Sequence, residues 1–220
     1  MSVLLDIDLG EIDGEPEALY ACAHLANVAC GGHAGDRASL ERARELATAH
    51  GARLGAHPSY PDRAGFGRTA MTMPVEALAA SVRSQCELFA SVSAARHVKM
   101  HGALYHAIDR DEALARAVLT ACRDVLGMVD VLGPPSGATA RAARALGMPF
   151  LREGFADRGL RADGSLIPRG EPGALVEDAL VASRQAEMLA RSGRFDVLCV
   201  HGDGAHAVLI ARAVRDTLDR

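Results

Sequence analysis

Of the 24 Lys and Arg residues in this 220-residue chain, Lys99 is the only lysine, and it stands in the run His97-Val98-Lys99-Met100-His101-Gly102. Arginine is a planar, permanently charged fork, whereas lysine is a compact ammonium whose pKa burial can lower, so a site that needs the second cannot accept the first. Lys99 is therefore a candidate electrostatic centre, with a leftover surface lysine as the plainer alternative. Side chains two apart on a strand share a face, which pairs Lys99 with His101 and Asp6 with Asp8 while Ile7 and Met100 face the other way. Buried charges need partners, so the two pairs are expected to meet each other.

Two glycine-rich turns add candidates. Cys30-Gly31-Gly32-His33-Ala34-Gly35-Asp36 leads into a helix with Asp36 as N-cap, and its backbone N–H groups could hold an anion. An ordinary strand-to-helix turn is the alternative. Cys30, three residues before His33, reads as buried filler rather than a nucleophile. His201-Gly202-Asp203-Gly204-Ala205-His206-Ala207 contains a G-x-G-x-x-A string, but too little chain follows for the second strand and acidic ribose ligand of a dinucleotide site. It remains a candidate small-anion turn. A P-loop is excluded because Lys99 follows Val98 rather than glycine. His33, His57, His101 and His201 could hold a divalent metal with Asp8 only by converging in space, since no H-x-x-x-H or H-E-x-x-H spacing is present; no residue is assigned to a metal. His24, His50 and His97 read as structural or surface residues.

The elements that must position these groups are marked by a recurring phrase: an Ala/Arg-rich helical stretch, a glycine, then a short apolar run. It occurs around Gly51, Gly127, Gly147 and Gly193, and glycine just past a helix before a buried strand is the junction of a parallel α/β protein. Seven strands are expected near 3–8, 25–30, 52–56, 97–101, 128–132, 148–152 and 196–200. Helices are expected near 37–50, 74–93, 111–126, 136–146, 172–192 and 206–218, with loops over a site at 57–73 and 153–171. Nearly every strand ends in polar side chains: Asp8 and Glu11, His33 and Asp36, His57, Lys99 and His101, Glu153 with Asp157 and Arg158, His201 and Asp203. An open sheet collects its ligand at one switch point, whereas a closed ring aims all its strand ends at one mouth. The expected fold is accordingly one α/β domain over 1–220, a TIM-like (β/α) barrel with seven strands, preferred over a flavodoxin-like sheet.

Bulk composition bounds the class. With 49% hydrophobic residues and a net charge of −4, the chain can bury a full core and has no basic surface suited to nucleic acid. The N-terminus lacks the basic start of a signal peptide, and no 18-residue apolar run exists to span a membrane. The five cysteines lack C-x-x-C spacing and suit a reducing cytoplasm. Small-molecule partners in a cytoplasmic setting are expected.

Taken in order, several motifs are similar to the LamB/YcsF lactam-utilisation family, whose members are the A subunit of prokaryotic 5-oxoprolinase. They are Asp8-Leu9-Gly10-Glu11, Asn27-Val28-Ala29-Cys30-Gly31 with His33-Ala34-Gly35-Asp36, Gly55-Ala56-His57-Pro58 and Gly65-Phe66-Gly67-Arg68. They continue with His97-Val98-Lys99, His101-Gly102-Ala103-Leu104-Tyr105, Phe155-Ala156-Asp157-Arg158, Pro168-Arg169 and Val200-His201-Gly202-Asp203. The resemblance covers almost the whole chain. It departs at Asp6, Gly32, Met100 and His106, where the family pattern has Asn, an aromatic, Pro and Asn. It implies a seven-stranded barrel of the glycoside hydrolase/deacetylase type that opens the lactam of 5-oxo-L-proline to L-glutamate, coupled to conversion of ATP to ADP and phosphate, with B and C subunits as partners. ATP could be handled by those partners. On that reading Asp8, His57, His101 and His201 serve as base or proton relay and Lys99 as charge stabiliser. Arg68 or Arg158 grips the substrate carboxylate, and Asn27, His33, Asp36, Tyr105, Glu153, Asp157 and Asp203 complete the binding set. The runner-up is a metal-dependent deacetylase or amidase on the same kind of barrel.

Overall fold

The computed structural model describes residues 3–220. Its strands are β1 (Leu4–Leu9), β2 (Leu25–Ala29), β3 (Arg53–His57), β4 (His97–Lys99), β5 (Asp130–Gly133), β6 (Phe150–Phe155) and β7 (Val197–His201). They run parallel in chain order and close into a barrel, β7 pairing back onto β1. Around it lie α1 (Glu17–Cys22), α2 (Arg37–His50), α3 (Val75–Ala90), α4 (Gly102–Arg110), α5 (Glu112–Leu126), α6 (Ala138–Ala145), α7 (Ala179–Arg191) and α8 (Ala207–Leu218).

The period of two sorts each strand's side chains between helix layer and lumen. Leu5, Ile7 and Leu9 of β1, Ala26 and Val28 of β2, and Leu198 and Val200 of β7 join the apolar layer under the helices. Alternate positions turn inward. A separate apolar cluster of Leu25, Leu132 and Val197, flanked by Leu4 and Leu151, plugs the N-terminal end of the lumen. Above that plug the inward residues become polar: Asp6 and Asp8 on β1, Asn27 on β2, His97 and Lys99 on β4, Glu153 on β6. Register fixes their heights, with Asp8 opposite both Asn27 and His201, and Asp6 opposite Cys199. Gly55 on β3 faces His97, and a Cβ there would collide with the imidazole, so the missing side chain makes room for the ring.

The fold departs from the sequence expectation in its helices. α1 and α4 were not anticipated, and the helix expected from 172 begins only at Ala179, where Asp178 caps the Leu180 and Val181 amides. The β4 strand ends at Lys99, and His101 becomes the residue before α4. Gly102 makes that sharp change possible: its φ is +56° and a Cβ would meet the Gly67 carbonyl oxygen at 2.5 Å.

Candidate active site

Two buried polar clusters meet at the C-terminal end of the barrel. The first is centred on Lys99, whose Nζ lies 3.1 Å from Asp6 Oδ2, 2.8 Å from Asp8 Oδ1, 2.7 Å from Glu153 Oε1 and 2.9 Å from Cys199 Sγ. The two inward pairs expected from strand spacing thus face each other. Burial opposes the ammonium, but Asp6 and Asp8 outweigh it and hold the Lys99 pKa well above its usual value. This lysine is a fixed positive charge, as a charge stabiliser requires; the lowering that burial alone would cause does not occur. Three carboxylates around one ammonium are not all served as anions. Burial, with Asp6 and Asp8 adding, pushes Glu153 well up, which favours its protonated form. Asp8 goes the other way: burial opposes its charge, yet the Lys99 ammonium 2.8 Å away helps hold it well below the carboxylate range. Asn27 braces the pair, donating to Asp6 and Asp8 and accepting from His97 Nε2 at 2.8 Å.

The second cluster gathers Glu11, His33, His57 and His101, all buried. Glu11 Oε1 is 2.9 Å from His33 Nε2 and 3.0 Å from His101 Nδ1, and His57 Nε2 is 3.0 Å from His101 Nδ1. Burial lowers His101 to about 4 despite the Glu11 carboxylate. His33 is also lowered, burial again being the chief cause. Phe66 stacks edge-on against both His33 and His101 and is a non-glycine residue with positive φ, 54°, a conformation bulky side chains rarely take. The donor atoms of this cluster lie within 4.8 Å of one another, close enough to hold a metal ion.

Facing both clusters is a cavity of about 700 Å³ lined by Asp8, Lys99, His101, Tyr105, Glu153 and His201, with Arg68, Arg158 and Arg169 also on its wall. His201 Nδ1 is 3.0 Å from Asp157, which also accepts from the His201 backbone N–H at 2.8 Å. That carboxylate fixes the ring so that Nε2 points toward Asp8 Oδ2, 3.9 Å away. It is the carboxylate–imidazole arrangement of a general base.

The expected residues therefore do not form one shell. Asp8, Lys99, His101, Tyr105, Glu153 and His201 line the cavity, while Asn27 and His57 are buried behind them. His33 opens instead onto a second cavity of about 560 Å³. Asp157 does not line the cavity and meets it through its hydrogen bonds to His201. Asp203 pairs with Arg68 at the rim, whose guanidinium lies 4.6 Å from the Phe66 ring centre. Arg158 is partly spent on the carbonyls of Ala174 and Ile167. Asp36 is not brought to the mouth: its exposed carboxylate accepts from Ser39 N–H and caps α2. The two glycine turns are likewise spent locally, Gly31 N–H on the Ala34 carbonyl and Gly202 N–H on that of Asp8. Cys30 is fully buried, and burial raises its thiol well above the usual range, as befits filler. Glu11 and Cys199 belong to the two clusters but were missing from the expected set. Glu11 was visible as a polar residue past a strand end and in the motif Asp8-Leu9-Gly10-Glu11, and Cys199 could have been found by its spacing of two from His201.

These features define a parallel seven-stranded β/α barrel with an enzyme-like polar mouth at the strand C-termini. The chain belongs to the LamB/YcsF family, whose model matches residues 3–220. It is 42% identical to the A subunit of a 5-oxoprolinase from Streptomyces avermitilis over 98% of this chain and 95% of that protein. The crystal structure of a lactam utilization protein from Thermus thermophilus superposes with a TM-score of 0.90 at 33% identity, covering 100% of this chain and 96% of that one. A phospho-2-dehydro-3-deoxyheptonate aldolase from Thermotoga maritima, at 10% identity and TM-score 0.57 over 99% of this chain and 68% of that one, shares the fold alone. No helix among the described residues is long and apolar enough to cross a membrane.

Proposed function

We propose that this chain is the lactam-opening A subunit of an ATP-dependent 5-oxoprolinase, acting in the cytoplasm with B and C subunits. The observation that carries this reading is the meeting, in one cavity, of a carboxylate-held imidazole, an ammonium and a buried carboxyl with a raised pKa: His201 with Asp157, Lys99, and Glu153. Opening a lactam breaks a resonance-stabilised C–N bond. Water must add to the carbonyl carbon, the carbonyl oxygen must carry negative charge, and the departing nitrogen must receive a proton. His201, with Asp8 beside its Nε2, takes the proton from water. Lys99 faces the developing oxygen charge, and Glu153 supplies the proton to nitrogen. Arg158, Arg169 and Arg68 provide positive charge for the substrate carboxylate.

ATP would activate the carbonyl, for instance by phosphorylating its oxygen. This chain carries no nucleotide-binding motif, so that step is assigned to the partner subunits. A second reading, a metal-dependent amidase, is favoured by the convergence of Glu11, His57 and His101. Assay of glutamate formation from 5-oxo-L-proline with and without ATP, and with and without B and C subunits, separates the two. The proposed function requires both ATP and the partners; hydrolysis by the chain alone without ATP favours the second reading.

A further inference from the structure

Hydrogen-bond direction in the second cluster leaves a problem that the lactam reading does not use. A backbone carbonyl only accepts, so a ring nitrogen bonded to one must carry its hydrogen. His57 Nδ1 lies 2.9 Å from the Lys99 carbonyl oxygen, and His101 Nε2 lies 3.0 Å from that of Phe66. Both tautomers are thereby fixed in the neutral rings, and the nitrogens left over, His57 Nε2 and His101 Nδ1, each present a lone pair. These two face each other at 3.0 Å. Glu11 Oε1, a third acceptor, is 3.0 Å from His101 Nδ1 and 3.7 Å from His57 Nε2. Asp8 Oδ2 is a fourth, 3.4 Å from His57 Nε2. Four acceptors converge with no donor among them.

We propose that His57 Nε2, His101 Nδ1 and Glu11 Oε1, with Asp8 Oδ2 beside them, bind one divalent first-row transition ion of the Zn²⁺ class. Zn–N distances of about 2.0–2.1 Å in a tetrahedron put neighbouring donor atoms about 3.3 Å apart, and the spacings here, 3.0 to 3.7 Å, bracket that value. Metal-bound histidines characteristically give their second N–H to a carbonyl or carboxylate, the arrangement found at both rings. His33 is excluded as a ligand despite its proximity. Its ring lies flat on His101, centroids 3.6 Å apart and planes within 4°, so the two in-plane lone pairs run parallel instead of converging. Its Nε2–H donates to Glu11 and orients that carboxylate. The ion has access from two sides, because His101 and Asp8 line the larger cavity and Glu11 the smaller. The competing explanation is a single extra proton. Placed on His101 Nδ1, it would be split between His57 Nε2 and Glu11 Oε1 and would leave Asp8 Oδ2 facing a bare nitrogen, whereas a divalent ion serves all four acceptors. This site stands whether or not the lactam reading is correct.

The test uses the full chain, stripped with a chelator and then titrated with Zn²⁺ and with Co²⁺ as a spectroscopic probe. The expected result is one ion per chain, visible Co²⁺ absorption of low-coordinate character, and a rise in Tm with Zn²⁺. His57→Gln and His101→Gln should each weaken binding at least about 100-fold, the upper end of what losing only an orienting partner costs. His50→Gln, at the surface, should leave the stoichiometry at one. Should the buried variants misfold, anomalous scattering from crystals of the unaltered chain grown with Zn²⁺ needs no substitution: a peak between His57, His101 and Glu11 supports the site. Absence of bound ion, a peak only elsewhere, or binding unchanged in both folded Gln variants overturns it.

Discussion

Lys99 is held by Asp6, Asp8, the Glu153 carboxyl and the Cys199 thiol, so its removal leaves buried charge without a partner. Breaking one side of such an arrangement typically costs about 3–5 kcal/mol. Lys99→Met is expected to lose stability of that order in denaturant unfolding, and Lys99→Met with Asp6→Asn to recover part of it by removing one stranded anion; equal losses would show that the cluster is not coupled this way. His97 gives a pH prediction with a definite sign. Burial foremost, with Arg53 and Lys99 adding, lowers it from 6.5 to about 3. Between those values the unfolded chain binds a proton that the folded chain refuses, so stability falls as pH falls, by at most about 1.4 kcal/mol per pH unit from this group. His97→Gln should therefore lose less stability than the unaltered chain between about pH 6.5 and about pH 5, measured by urea unfolding at each pH; parallel slopes would contradict the assignment. At this scale the sequence showed Lys99, Asp8 and His101 through strand alternation. It did not show that the Glu153 pKa is raised, which depends on burial in the lumen and on Asp6 and Asp8 arriving from another strand.

Elements position these groups through caps and close approaches. The Asp36 carboxylate and Ser39 side chain form a reciprocal capping box at the start of α2. Asp36→Ala should cost about 1 kcal/mol of stability and leave the KM for substrate unaltered in the reconstituted assay. A raised KM with unchanged stability would return Asp36 to the binding set. The strands were legible because glycine after helix and alternation within strand leave a local signature. α1 was not, since its six residues, with Leu19, Tyr20 and Cys22 buried, are too few to show a helical period. α4 was hidden for another reason. It opens on Gly102, a residue that usually ends helices, and it abuts α5 across Asp111 alone. The late start of α7 follows from Pro172-Gly173, where the chain instead forms an isolated bridge between Arg158 and Leu175.

At the scale of the whole molecule, the closed seven-stranded ring brings groups from β1, β4, β6 and β7 to one cavity, and the apolar plug of Leu25, Leu132 and Val197 seals the opposite end of the lumen. Closure was inferred from polar residues at nearly every strand end, and the barrel bears that inference out. The division of the mouth into two clusters was not legible, because it depends on which helix-side turn carries Glu11 and His33 inward. The chain alone is expected to show little or no ATP-dependent glutamate production, measured by coupled assay, because it has no nucleotide loop; robust turnover by the isolated chain would refute the division of labour. The most direct measurement is the rate of glutamate formation from 5-oxo-L-proline and ATP by the complex reconstituted with B and C subunits, comparing the unaltered chain with Lys99→Arg. Losing one well-placed electrostatic stabiliser costs about 100- to 1,000-fold in turnover, and the bulkier fork should displace the charge from its nest. The expected result is a folded variant at least about tenfold slower; an unchanged rate with an unchanged Tm would contradict the role of Lys99 in the reaction.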